Sequence, residues 1–146
     1  MKTLKHQQQP SSDTCVSACI AMILNQPVSE VINDFHQEYL RGEIDVDEYL
    51  HIRGIKCVPL MSTISTMLWD RVYFLSVPSL NKLGYWHQVL GYFENDKFVL
   101  LDPNKGREDK LYYVEHDVEF TKPNEFRLKS YLYNFEVWFP DYREAA

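Results

Sequence analysis

A chain of 146 residues with 45% apolar and 14% aromatic side chains has the length and the material for one domain, residues 1–146, around a continuous core. Its formal charge of −6, with 15 scattered basic residues, argues against a phosphate-tracking surface, so nucleic acid is not an expected partner. No apolar stretch approaches the roughly 20 residues needed to cross a bilayer. The start MKTLKHQQQP has no apolar run behind its charges, so a cytoplasmic chain without a membrane partner is expected. Three cysteines, at 15, 19 and 57, are an odd number without a framework spacing and are read as thiols.

From about residue 13 to 68 apolar residues recur at helical spacing. The first helix covers the apolar run 16–24, and Ser11, Ser12 and Asp13 after Pro10 are candidates to accept bonds from its first-turn N–H groups. Cys15 therefore falls at or near the positive end of this helix. Asn25, Gln26 and Pro27 stop it, and a second helix beginning at Pro27 or Ser29 ends near Arg41 and Gly42. A short third helix is expected over 45–53, with Gly54 as its stop and 55–60 as a short strand.

Beyond residue 71 the runs RVYFLSV, WHQVLGYF, KFVLLD, KLYYV and RLKSYLYNFEVWF are rich in β-branched and aromatic residues. The expected fold class is therefore α+β, an N-terminal helical half packed on a C-terminal antiparallel sheet. Asn95 and Asp96 in FENDKF form a hairpin turn that sets 86–93 beside 97–102.

The same hairpin places position 87 opposite about position 103, making His87 and Asp102 neighbours. A free thiol titrates near 8.5, and a helix amino terminus with a nearby imidazolium is the usual means of favouring the thiolate. Cys15 has the first by position, and His87 is the candidate for the second, with Asp102 orienting its ring. A lone cysteine on an apolar helix is usually a small core residue, which is the reading for Cys19 and Cys57. Tyr85 and Trp86 are candidates to line a cleft beside His87, although strand aromatics are more often core.

The stretch from Gln9 through Cys15 to Ile23, and the later His87-Gln-Val-Leu-Gly-Tyr followed by Val-Leu-Leu-Asp102-Pro-Asn, resemble the double-glycine-cleaving peptidases. These are the papain-like family that trims bacteriocin leader peptides. Family members commonly read Asp-Cys-Gly at the nucleophile, where this chain has Thr14-Cys15-Val16. The resemblance implies a papain-like fold, Cys15 as nucleophile, His87 as base, Asp102 as orienter and Gln9 as a donor to the oxyanion, with Gln7 and Gln8 as register alternatives that spacing disfavours. It further implies a peptide or protein substrate and no cofactor. Deamidation or acyl transfer by the same groups stays open, as does a catalytically silent binding or inhibitory module. A zinc site of Cys15, Cys19, Cys57 and His87 is disfavoured because its cysteines are not paired in a loop.

Overall fold

A computed structural model describes residues 3–60 and 66–139. Helix α1, Cys15–Leu24, is buried almost along its length and ends where Asn25 turns left-handed at φ 54° and returns its N–H to the Ala21 carbonyl. After Pro27 one helical rod follows, made of α2 (Val28–Val31), a π-helical turn (Ile32–His36) and α3 (Gln37–Leu40). Helix α4, Val46–Ile52, opens on a reciprocal capping box between Asp45 and Glu48. Among the described residues no single helix is long and apolar enough to cross a membrane.

The strands are β1 (Cys57–Pro59), β2 (Arg71–Pro78), β3 (Trp86–Glu94), β4 (Lys97–Leu101), β5 (Tyr112–Val114), β6 (Glu125–Arg127) and β7 (Leu132–Trp138). Five of them form an antiparallel sheet in the order β1-β7-β2-β3-β4. The fold is thus α+β, as expected. KLYYV departs from expectation: β5 stays out of this sheet and pairs in parallel with β6, a strand the sequence did not announce. The run 127–139 accordingly splits between β6 and β7, because Leu128 is taken into the core behind the sheet rather than into a ladder.

The unbroken apolar run of β2 has a simple cause. Val72 and Phe74 pack with Ile20, Met22 and Phe35 of the helical half, while Tyr73, Leu75 and Val77 pack with Tyr113 and Leu128 on the other face. A strand covered on both faces loses its polar alternation, and each fully buried large side chain contributes ~1.5–3 kcal/mol. Where β3 crosses β2, Gly91 is required by closeness: a Cβ there would meet Leu75 Cδ1 at 3.0 Å and Phe98 Cε1 at 3.1 Å. The β3–β4 hairpin turns through Asn95 and Asp96, both left-handed at φ 50° and 65°, the two-residue turn whose twist suits antiparallel strands.

Candidate active site

The hairpin register pairs Glu94 with Lys97 and Leu90 with Leu101. Beyond that last pair the strands part, and Asp102 turns its side chain back across the gap to His87. Asp102 Oδ1 lies 2.6 Å from His87 Nε2. Both groups are withdrawn from solvent, His87 at 7% and Asp102 at 1% exposure.

The carboxylate is held from three sides. Oδ1 also accepts the Asn104 N–H at 2.8 Å, closing the turn that Asp-Pro-Asn favours, and Oδ2 accepts the Tyr113 N–H at 2.8 Å. The first of these was legible in the Asp-Pro-Asn string. Tyr113 comes from β5, and no local signal points to it.

Cys15 is the first residue of α1, at the end where helix N–H groups lack intrahelical partners. Its thiol is near enough to the His87 ring to help hold that ring's charge. Burial alone would lower the imidazole pKa, but the hydrogen bonds and charges of Asp102 and Cys15 outweigh it and raise the value to about 9.

The helix start differs from expectation in its capping. Thr14 is the N-cap and makes no side-chain cap, and neither Ser11, Ser12 nor Asp13 supplies one. Their groups are engaged elsewhere: Ser11 Oγ donates to Asp13 Oδ1 at 2.9 Å, and Asp13 Oδ2 meets His36 Nε2 at 3.3 Å. The Ser11 bond first, and His36 with it, hold the Asp13 carboxyl below its ordinary range. Among the described residues the first turn of α1 thus has no side-chain cap competing for a ligand's oxygen.

Gln9 is 1% exposed, and its amide donates to the Ser11 carbonyl at 2.8 Å while its own backbone N–H donates to Pro103 O at 2.9 Å. One of its two amide N–H bonds is therefore spent within the loop, and Oε1 is buried without a hydrogen-bond partner among the described residues. The Pro103 bond fixes the segment before Cys15 against the turn after Asp102. A cavity of about 480 Å³ opens beside Gln9, lined also by Gln8, Pro10, Arg107 and Glu108.

The contacts that hold this framework are not legible in the sequence. Gln7 clasps the α1–α2 corner, donating to Gln26 O at 2.7 Å and accepting from Val28 N at 3.2 Å. His6 Nε2 sits 2.8 Å from the Asp102 backbone oxygen. Gln88 donates to Leu75 O at 2.7 Å and to Asn134 Oδ1 at 2.9 Å, which fixes the strand next to His87. Asn134 can reach it because the β2–β7 ladder slips there.

The other two cysteines differ in environment, Cys19 lying one turn behind Cys15 with its Sγ 3.6 Å from Gln88 O. Cys19 is buried in α1 and burial pushes its thiol well up, while burial of Cys57 pushes its thiol up to about 12. All three cysteines are free, and no cluster of three or more His, Cys, Asp or Glu side chains suited to a metal occurs among the described residues.

No family model, curated protein or solved structure matches this chain.

Proposed function

We propose that this chain is a papain-like cysteine peptidase hydrolysing a peptide or isopeptide bond, with Cys15 as nucleophile, His87 as base and acid, and Asp102 as orienter. The observation that carries the reading is the buried 2.6 Å contact between His87 and Asp102, on a ring that also interacts with a thiol at a helix start. Perturbation by a specific charge partner is a mark of groups that move protons.

In this mechanism the Cys15 thiolate, paired with the protonated His87 ring, attacks the substrate carbonyl carbon. The tetrahedral oxyanion is met by the Cys15 backbone N–H and the second amide N–H of Gln9; one such donor is worth about 3–4 kcal/mol in comparable sites. Collapse breaks the carbon–nitrogen bond as His87 returns its proton to the leaving amine. Water, deprotonated by the now neutral His87, then attacks the thioester carbon; the acid leaves with the Cys15 sulfur as thiolate, and the proton kept on His87 restores the starting pair. An imidazole that stays charged up to about pH 9 suits the acid half of this cycle at neutral pH. Three unpaired cysteines fit work in a reducing compartment such as the cytoplasm.

The test compares new protein termini in a lysate treated with the protein and with its Cys15→Ala variant. Cleavages found only with Cys15 present support the reading. A gain of about one mass unit at glutamine or asparagine, or mass added to an acceptor amine, would replace it with deamidation or acyl transfer. No Cys15-dependent change of any kind would leave a binding module.

A further inference from the structure

The sheet face turned away from the helices carries a second concavity, remote from Cys15. Phe93 lies six residues beyond His87 on β3, roughly 20 Å along the strand at about 3.3 Å per residue. It lines a cavity of about 500 Å³, inside the range of roughly 300–1,000 Å³ that small-molecule sites occupy. Four more rings line the same space from separate parts of the chain: Phe98 of β4, His116 after β5, Tyr131 just before β7 and Tyr133 within it.

The sheet and the rings themselves fix this lining. Gly91 carries no side chain, so the Phe98 ring lies close against β3, its Cε1 3.1 Å from where a Cβ would stand. Phe98 meets Phe93 edge-on at 5.9 Å and the His116 ring at 6.0 Å, while Tyr133 is edge-on to both Tyr73 and Tyr131 at 5.4 Å. Phe98 and Tyr133 are anchored beneath by Tyr73, Leu75 and Leu128. Edge-to-face packing leaves ring faces free for offset stacking, and rings already held by their neighbours receive a flat ligand with little further cost of ordering.

The charge on the lining has one sign. Lys129 lines the cavity and has no hydrogen-bond or ion-pair partner among the described residues, and no aspartate or glutamate is among the lining residues. The acids on neighbouring segments are engaged elsewhere: Glu115 accepts the Leu100 N–H and Glu136 the Tyr73 hydroxyl, each at 2.8 Å. In a chain of formal charge −6, a cavity whose one permanent charge is an ammonium is complementary to an anion.

We propose that this cavity binds a small planar aromatic carboxylate, with its ring stacked among Phe93, Phe98, Tyr131 and Tyr133 and its carboxylate on Lys129. The five rings select for a flat π-system over an aliphatic body of equal size. The single ammonium balances one negative charge, and no arginine lines the cavity to grip the several oxygens of a phosphate, so the anion is a carboxylate. The site is separate from the Cys15 chemistry and stands whether or not the chain cleaves peptides.

Isothermal titration of the full chain with four probes tests this: 2-naphthoate, its neutral counterpart 2-naphthalenemethanol, cyclohexanecarboxylate and adenosine monophosphate. The titrations are repeated on Lys129→Met and Tyr131→Leu, both at exposed positions where replacement spares the core. Expected is a wild-type affinity for 2-naphthoate about ten-fold above that for each other probe. Lys129→Met should bring 2-naphthoate down to the level of the alcohol, and Tyr131→Leu should weaken both naphthalene probes about five-fold. In the wild type, 2-naphthoate should move the backbone amide resonances of Phe93, Phe98 and Tyr133. Equal binding of 2-naphthoate and its alcohol, or no loss in Lys129→Met, overturns the role of the charge. Cyclohexanecarboxylate binding as well as 2-naphthoate overturns the aromatic preference, and adenosine monophosphate binding tightest overturns the carboxylate in favour of a phosphate. No probe binding below about 1 mM, or resonance shifts confined to other residues, overturns the site.

Discussion

Replacing Asp102 by asparagine is the most informative single change. The carboxylate accepts three hydrogen bonds on two oxygens, from His87, Asn104 and Tyr113. An asparagine has one oxygen, so whichever way its amide faces, a donor meets a donor in a buried place, costing about 1–3 kcal/mol. The larger effect is on charge. His87 is raised from 6.5 to about 9 although burial works against it, a shift on the order of 3 kcal/mol at 1.36 per unit. Because the folded value lies above the unfolded one, this stabilisation is fully present below about pH 6.5 and is lost as pH rises through about 9. Without the carboxylate, burial acts against the remaining influence of Cys15, and the midpoint should fall by about two units. Nuclear magnetic resonance of the His87 Cε1–H group, assigned by a His87→Gln variant, reads this directly. Stability of the wild type to urea should decline between pH 6 and 10, and that of Asp102→Asn should be nearly flat over the same range. A midpoint that moves by less than about half a unit would refute the account of what charges this ring.

Three further outcomes follow from the packing. Iodoacetamide at neutral pH should modify Cys15 at least about ten-fold faster than Cys57 or Cys19, whose thiols burial pushes up; equal rates at Cys57, read by peptide mass, would count against a special environment at Cys15. Gln7→Ala removes both bonds of the α1–α2 clasp and should destabilise by about 1–2 kcal/mol in urea titration, whereas an unchanged midpoint would make the clasp incidental. Gly91→Ala forces Leu75 or Phe98 aside and should cost about 1–3 kcal/mol; a raised melting temperature would show that the crossing has spare room.

The parts of this molecule that were legible are those specified by neighbouring residues. Asn95 and Asp96 set the hairpin, and the hairpin alone was enough to bring His87 near Asp102. Asn25 before Pro27, the short helix after Asp45 and the start of α1 were equally local. What escaped depends on partners far along the chain. Tyr113 reaches Asp102 only because β5 leaves the main sheet to pair with β6, and a three-residue parallel pair has no turn or period to announce it. The expected cap of α1 failed because Asp13 has a better partner in His36, a contact made across 23 residues. Gln9 lies in the loop before Cys15, and its bond to Ser11 depends on the path of that loop rather than on any pattern. Tyr85 and Trp86 could be read either as cleft lining or as core, and it is their exposure, with that of Leu83, that sets them at the surface.

The central claim is that His87 activates Cys15, and the pH 7 alkylation rate of Cys15 in wild type against His87→Ala tests it without needing a substrate. Both proteins should first be shown folded by near-ultraviolet circular dichroism, after which iodoacetamide incorporation at Cys15 is followed by mass. The account predicts that Cys15 reacts about ten-fold or more slowly without the imidazole, while Cys57 keeps its slow rate in both. Equal Cys15 rates in the two folded proteins would contradict it, and the buried His87–Asp102 pair would then have to be a structural one.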